Sequence, residues 1–403
     1  MYLSRFGVKN YKCLGEIDIP LTPIHVVIGQ NDCGKTSLLE AMAAFFATAE
    51  KPWPTVFPMP WSGRELVRHN SPESRIDLWG EWEQHATDDT SASIPRVRYG
   101  LSLDFPMSGQ NCQAVDQWFE TNGEKHLLWP TNNTDSLTSV KRWRDGHTLP
   151  AEVTVGDVKA VSDILKPAHK YALDAKLMAV PAGINPARKF RLDPDGFGLA
   201  TLLDDMLGFD PELFLRTRTA FCRFFPQFKS VRVESVRALY RTVTSDGLHG
   251  GHETIGKGIV FETVNGQTVQ AQQASDGAIL FLGFLALAYL HEPPNLLLIE
   301  EPENGIYPKR LGEVINLLKQ LVNRTEGIRF PQIVLTTHSP YVLSFFQPEE
   351  VTLLSRPQDA PDAPVRARPL RDAPNIRERL GNEFYLGELW YNLSEGELFG
   401  DAQ

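Results

Sequence analysis

Cysteine is scarce in this chain: four in 403 residues, at Cys13, Cys33, Cys112 and Cys222, none in C-x-x-C spacing. That excludes a disulfide-stapled secreted scaffold and a cysteine zinc site, and it points to a reducing cytoplasm. No apolar run approaches the ~18 residues that a membrane-spanning helix needs, and the opening MYLSRFGVKN lacks the form of a signal peptide, so neither membrane nor export is expected. Positive charge is also short. Forty Lys and Arg against fifty Asp and Glu leave a formal charge of −10, which argues against a surface made throughout for DNA, though not against a local basic patch. No internal repeat and no sustained heptad pattern occurs, which excludes solenoids and long coiled coils. What remains, 42% hydrophobic and 22% charged, is an ordinary globular chain long enough for two or three domains.

The most informative stretch is Gly29-Gln30-Asn31-Asp32-Cys33-Gly34-Lys35-Thr36, preceded by the apolar run Ile24 to Ile28. It fits G-x-x-x-x-G-K-[ST], the phosphate-binding P-loop, between a buried strand and a helix over Ser37 to Phe46. Gly29 and Gly34 permit, and Asn31 and Asp32 tolerate, a tight turn whose N–H groups face inward and cradle phosphate, and the helix N-terminus adds its partial positive charge. Lys35 is placed to reach the β- and γ-phosphates of a bound nucleotide, Ser37 to join the nucleotide-binding loop, and the Thr36 hydroxyl to ligand Mg²⁺.

Three further segments complete a site. Leu296 to Ile299, followed by Glu300 and Glu301, describes a buried strand that delivers two acids to the edge where open α/β sheets bind ligands. Glu300 suits a Mg²⁺ shell and Glu301 the activation of a water. Thr336-Thr337-His338-Ser339-Pro340 ends the next apolar strand, and His338 there is either structural or a donor to the γ-phosphate. Gln272-Gln273-Ala274-Ser275-Asp276-Gly277 opens an apolar helix over 278–290; Ser275 is either its N-cap or part of a phosphate-binding turn.

These segments, in this order, resemble the ABC-type ATPases of the SMC/RecF-like group, and within it the chain is similar to the ATPase module of the OLD (overcoming lysogenization defect) family and related bacterial defence ATPases. Phe6-Gly7-Val8-Lys9-Asn10-Tyr11-Lys12 also resembles the strand and turn that begin those modules. The resemblance implies that Ser275 and Gly277 contact the γ-phosphate bound by a second copy, that Glu301 is the base and His338 the switch, and that Asn304 and Gly305 line a dimer interface. The chain departs from the pattern in its Ala-Ser-Asp-Gly signature and in Glu300, where many relatives carry Asp; the Q-loop glutamine has only Gln84 as a candidate. With 65 residues after His338, the Toprim nuclease domain that OLD nucleases carry there is not expected in this sequence.

The expected architecture is α/β: an ABC-type P-loop ATPase with a mixed, largely parallel central sheet, an antiparallel β lobe and an inserted region. The expected divisions are 1–110 and 230–370 for the two parts of the ATPase, 111–229 for an insertion of hairpins and helices, and 371–403 for a helical tail. Strands are expected at 75–82, 97–105, 230–244 and 258–271, the last folded at Asn265-Gly266, and a loop over 358–374. The expected function is an ATP-hydrolysing switch that dimerises around ATP and Mg²⁺ and serves a separately encoded effector, such as a nuclease, in antiphage defence. The rivals are a DNA-repair clamp of RecF type, for which Lys141-Arg142-Trp143-Arg144 and Arg188-Lys189-Phe190-Arg191 are candidate contacts, and an ATP-binding scaffold with little turnover.

Overall fold

The computed structural model describes residues 1–57, 63–83, 96–105, 113–121, 123–129, 137–149, 153–184, 190–243, 249–290, 294–322, 332–357, 362–381, 385–393 and 395–399. Two compact units result: Met1–Lys170 with Pro294–Leu298 and Gln332–Gln403, and Tyr171–Pro293 with Ile299–Pro331.

In the first unit an antiparallel sheet has the order β2-β1-β4-β5-β6-β7. Its strands are β1 (Tyr2–Tyr11), β2 (Leu14–Pro20), β4 (Arg75–Glu83), β5 (Arg96–Asp104), β6 (Gln113–Thr121) and β7 (Glu124–Trp129). Burial alternates residue by residue along β4, as the period-2 pattern of its sequence requires. Gln113–Thr121 and Glu124–Trp129, read from sequence as the start of an insertion, are the last two strands of this sheet.

The central sheet has the order β16-β15-β3-β14-β13-β8. It comprises β3 (Ile24–Ile28), β8 (Ala168–Tyr171), β13 (Leu296–Glu300), β14 (Gln332–Thr337), β15 (Val351–Ser355) and β16 (Arg366–Pro369). β14 and β15 flank β3 in parallel, with Thr337 opposite Ile28, and every residue of all three is buried. The 358–374 loop expectation gives way at β16, which pairs antiparallel with β15 and stops at Pro369, a residue compatible with an edge strand.

Helix α1 (Lys35–Ala47) is fixed by aromatic packing onto the antiparallel sheet. Phe45 lies 5.8 Å from Phe6 of β1, 6.3 Å from Trp82 of β4 and 5.6 Å from Tyr99 of β5, ring centre to ring centre. Such pairs add about 0.5–1.5 kcal/mol each beyond the area they bury. The same unit holds α2 (Ser139–Arg144), α3 (Val155–Ile164), α9 (Pro340–Leu343), α10 (Ile376–Gly381), α11 (Leu386–Asn392) and α12 (Glu395–Phe399). Among the described residues the helical tail comprises three short helices, α10 to α12.

The second unit contains α4 (Ala175–Ala179), α5 (Leu199–Phe209), α6 (Pro211–Phe224), α7 (Asp276–Ala288) and α8 (Pro308–Val322). Its sheet joins β9 (Ala182–Gly183), β10 (Phe228–Val243), β11 (His249–Thr263) and β12 (Thr268–Gln270). α7 is buried at every position from Ala278 to Ala288, as its unbroken apolar sequence demands. β11 starts at His249, not Gly258. The glycines that look like turn signals there admit a neighbour instead: a side chain at Gly256 would collide with the carbonyl of Ala182 on β9.

Candidate functional site

The P-loop follows β3 directly. Gly29 has φ +155°, and a Cβ there would run into Cys33 Sγ and the Leu354 carbonyl of β15. Gly34 is left-handed at φ +86°, and its Cβ would stand 2.8 Å from Cys13 Sγ and 2.9 Å from Leu14. Asp32, at φ +61°, takes the left-handed turn that short polar residues tolerate. Backbone and neighbours together therefore demand glycine at both motif positions.

Lys35 is only 7% exposed, and its ammonium donates to the Gly29 carbonyl at 2.9 Å and the Gln30 carbonyl at 2.8 Å. The side chain is thus folded along its own loop rather than out into solvent. Asn31 and Thr36 are exposed, and Ser37 is half-buried with its hydroxyl 3.7 Å from Cys13 Sγ. Lys12, from the turn between β1 and β2, pairs with Glu40 of α1, and Lys170 approaches the same carboxylate at 3.6 Å. The sequence pattern gave no sign of this clamp, because its members are scattered over the chain.

On the same sheet, β14 lies beside β3 and ends at Thr337; His338, next along the chain, is exposed. Thr337 Oγ1 accepts from the Ser339 N–H at 2.9 Å, turning the chain sharply into α9. β14's other neighbour in the sheet is β13, whose last residue is Glu300.

In the second unit, Glu301 is a non-glycine residue at φ +42°, a backbone region that costs energy and persists only where surroundings hold it. Asn304 supplies that hold: its side-chain amide donates to Glu301 Oε2 at 2.9 Å, and its N–H to the Glu301 carbonyl at 3.0 Å. Asn304 was expected only as part of an interface loop; the E-x-x-N spacing is the signal for this tighter role. Gly305 then takes φ +79°, and a Cβ there would come within 2.9 Å of Leu280 and 3.7 Å of Asp276. The loop after Glu301 is thereby pressed on the start of α7. Ser275 is the N-cap residue of α7 by position, but its side chain makes no capping bond and the residue is exposed; Gly277 is half-buried. The simple capping reading of Ser275 is therefore not what its geometry supports.

The basic run Lys141 to Arg144 is occupied structurally. Lys141 pairs with Asp145, Arg142 donates to the Thr148 carbonyl, and Arg144 donates to Ala49, Ser162 and Leu165. Gln84, Arg188 and Lys189 lie outside the described residues.

A P-loop at the end of a parallel strand, with a mixed sheet and an antiparallel lobe, is the ABC-type ATPase architecture. The family model described as "AAA domain, putative AbiEii toxin, Type IV TA system" matches residues 24–344, and the chain belongs to that family. An OLD nuclease from Thermus scotoductus (strain ATCC 700910 / SA-01) is 22% identical over 407 residues, spanning 96% of this chain and 67% of the relative. Among solved structures, an SMC head bound to the C-winged helix domain of ScpA superposes with a TM-score of 0.52 at 13% identity, covering 91% of this chain and 97% of that one. Family and fold thus agree: the chain carries a domain of that AAA family, has the fold of an SMC head and is similar in sequence to an OLD nuclease.

Proposed function

We propose that this chain is an ATP-hydrolysing switch that closes as a dimer around ATP and Mg²⁺ and reports its state to a separately encoded effector, such as a nuclease, in defence against phage. The observation that carries this reading is Glu301, an acid at the end of a buried strand, held left-handed and hydrogen-bonded by Asn304. Strain of this kind concentrates where chemistry is done. Lys35 and the P-loop N–H groups would bind the β- and γ-phosphates, and the glycine cradle has the steric form that this requires. Thr36 and Glu300 offer hard oxygen donors suited to Mg²⁺, which when bound would neutralise charge on the phosphates. Glu301 would orient the attacking water and accept its proton, and His338 would donate to the γ-phosphate. The exposed Ser275 hydroxyl and the Gly277 backbone would meet the γ-phosphate held by a second copy. An effector of nuclease type is suggested by the relative named OLD nuclease.

The test is a mixing experiment. Lys35→Ala and Ser275→Arg subunits are each expected to be inactive alone; together, one composite site loses both elements and the other keeps both, so part of the turnover returns. No recovery in demonstrated heterodimers would count against sites shared between copies. Turnover strongly stimulated by DNA would favour the repair clamp, and ATP-dependent DNA cleavage by the pure chain would rule out the need for a separate nuclease.

A further inference from the structure

In the second unit a groove of about 570 Å³ runs between α6, α7 and α8. Its lining is largely apolar: Ala220 and Phe224 of α6, Leu285 of α7, Leu317 of α8 and Tyr289, with Leu215, 44% exposed, beside them. Behind this lining the three helices are tied together: Phe224 and Phe225 at the end of α6 meet Phe281 of α7 edge-on at 4.6 and 5.6 Å, while Arg310 of α8 donates to the Phe224 carbonyl at 3.1 Å and lies 4.1 Å from the Phe225 ring. None of these contacts is needed for ATP chemistry.

The charge around the groove is one-sided. Arg216 and Arg223 line it, both exposed, and among the described residues no Asp or Glu does. They are seven residues apart, two turns of one helix face, with Thr219 and Ala220 between them. α6 as a whole carries Arg216, Arg218 and Arg223 against Glu212 alone, in a chain whose net charge is −10. A basic rim over a largely apolar groove, on a chain of net negative charge, selects for an apolar partner that brings carboxylates. The walls are stripes of three helices, the form that receives a helix laid lengthwise. A membrane surface would call for a convex face rather than this concave one.

We infer that this groove is a docking site for an amphipathic helix with acidic flanks, presented by the effector protein. The inference rests on the proposed function for the existence of that effector, and it names where and by what chemistry it is bound. The groove includes a face of α7, the helix that begins at Ser275 and on whose first turn Gly305 packs, so an occupant would bear on the element that carries the signature.

The experiment uses the full chain and two fluorescein-labelled 16-residue helical peptides, identical in their leucine stripe, one flanked by Glu and the other by Lys. By fluorescence anisotropy the Glu peptide is expected to bind at least about tenfold more tightly, with the preference shrinking as salt rises. The double variant Arg216→Glu/Arg223→Glu should reverse the preference, and Ala220→Trp, which fills the groove, should abolish binding of both peptides. Thermal unfolding and ATP turnover of the variants, which change no phosphate-site residue, verify folding and score the ATPase reading separately. Equal binding of the two peptides to the wild type, or an unchanged preference in the charge-reversed variant, would overturn the inference. So would sedimentation of the wild type, but not the charge-reversed variant, with phosphatidylglycerol vesicles, or a drop in oligomeric mass on charge reversal, since lipid or a second copy would then be the occupant.

Discussion

Two loops carry the candidate chemistry, and they are built on opposite principles. Both follow a buried apolar strand, β3 for residues 29–36 and β13 for 301–305, and both contain left-handed residues. In the P-loop, the shape is set by exclusion: Cys13, Leu14, Cys33 and the Leu354 carbonyl leave no room for a Cβ at Gly29 or Gly34. In the second loop, the left-handed turn falls on Glu301, which has a Cβ, and is held by hydrogen bonds from Asn304. A loop set by sterics tolerates nothing at its glycines, whereas one held by side-chain bonds can be loosened in steps. The first suits permanent nucleotide binding and the second suits a group whose placement changes during a cycle.

The largest effect should come from breaking the first loop. Lys35→Ala removes the cation proposed for the β- and γ-phosphates together with its bonds to the Gly29 and Gln30 carbonyls. Calorimetric titration should show ATP affinity reduced by about 100-fold or more, since buried charge-assisted contacts are each worth about 2–5 kcal/mol on truncation. Unchanged affinity would refute the assignment of this loop.

Breaking the second loop chemically should leave binding intact. Glu301→Gln keeps the size and the bond from Asn304 but loses the base, so turnover should fall by roughly 10²–10⁴-fold with ATP affinity preserved. Steady-state phosphate release measures this, and a rate within about twofold of the parent would move the base role to another group, with Glu303 next in line.

Loosening the second loop sharpens the contrast further. Asn304→Ala removes the 2.9 Å bond to Glu301 Oε2 but not the carboxylate. A single hydrogen bond to a charged group is worth about 1.5–3 kcal/mol, so kcat should drop by roughly 10–100-fold while KM stays put. Asn304→Gln, which keeps the amide, should recover part of the loss. A KM change as large as the kcat change would mean that Asn304 serves the fold and not the base.

The difference between the loops also explains what was legible in the sequence. The P-loop and the acidic strand are local: glycine spacing, an apolar run and a helix start lie within a few dozen residues of one another. α7 and β14 were equally plain, since uniform burial writes itself as uniform apolarity. β8, β15 and β16 escaped notice because short strands beside a central sheet have no period of their own, and β11 was cut short because its glycines answer to the approach of β9. The clamp of Lys12 and Lys170 on Glu40 joins residues far apart in sequence and so left no pattern to read. The Asn304–Glu301 bond spans only three residues, yet it depends on a left-handed Glu, which residue type alone argues against.

The smallest effect concerns the strand that leads into the first loop. His25 of β3 is fully buried, its ring nitrogens 2.9 Å from Thr352 Oγ1 on β15 and 3.2 Å from Thr22 Oγ1. Burial, with the positive charge of Arg371 as a lesser cause, pulls its pKa down from 6.5 to about 3. The folded protein therefore holds His25 neutral while the unfolded chain protonates it near its ordinary value. Its contribution to stability is intact above about pH 6.5 and is lost progressively as pH falls towards 3, at about 1.4 kcal/mol per pH unit once below 6.5. Between pH 7.5 and 5.5 the wild type should lose about 1 kcal/mol more than His25→Gln, which keeps a polar side chain but cannot titrate. Urea unfolding at the two pH values reads the difference directly. Parallel losses in the two proteins would show that the acid sensitivity of the β3 strand lies elsewhere than in this imidazole.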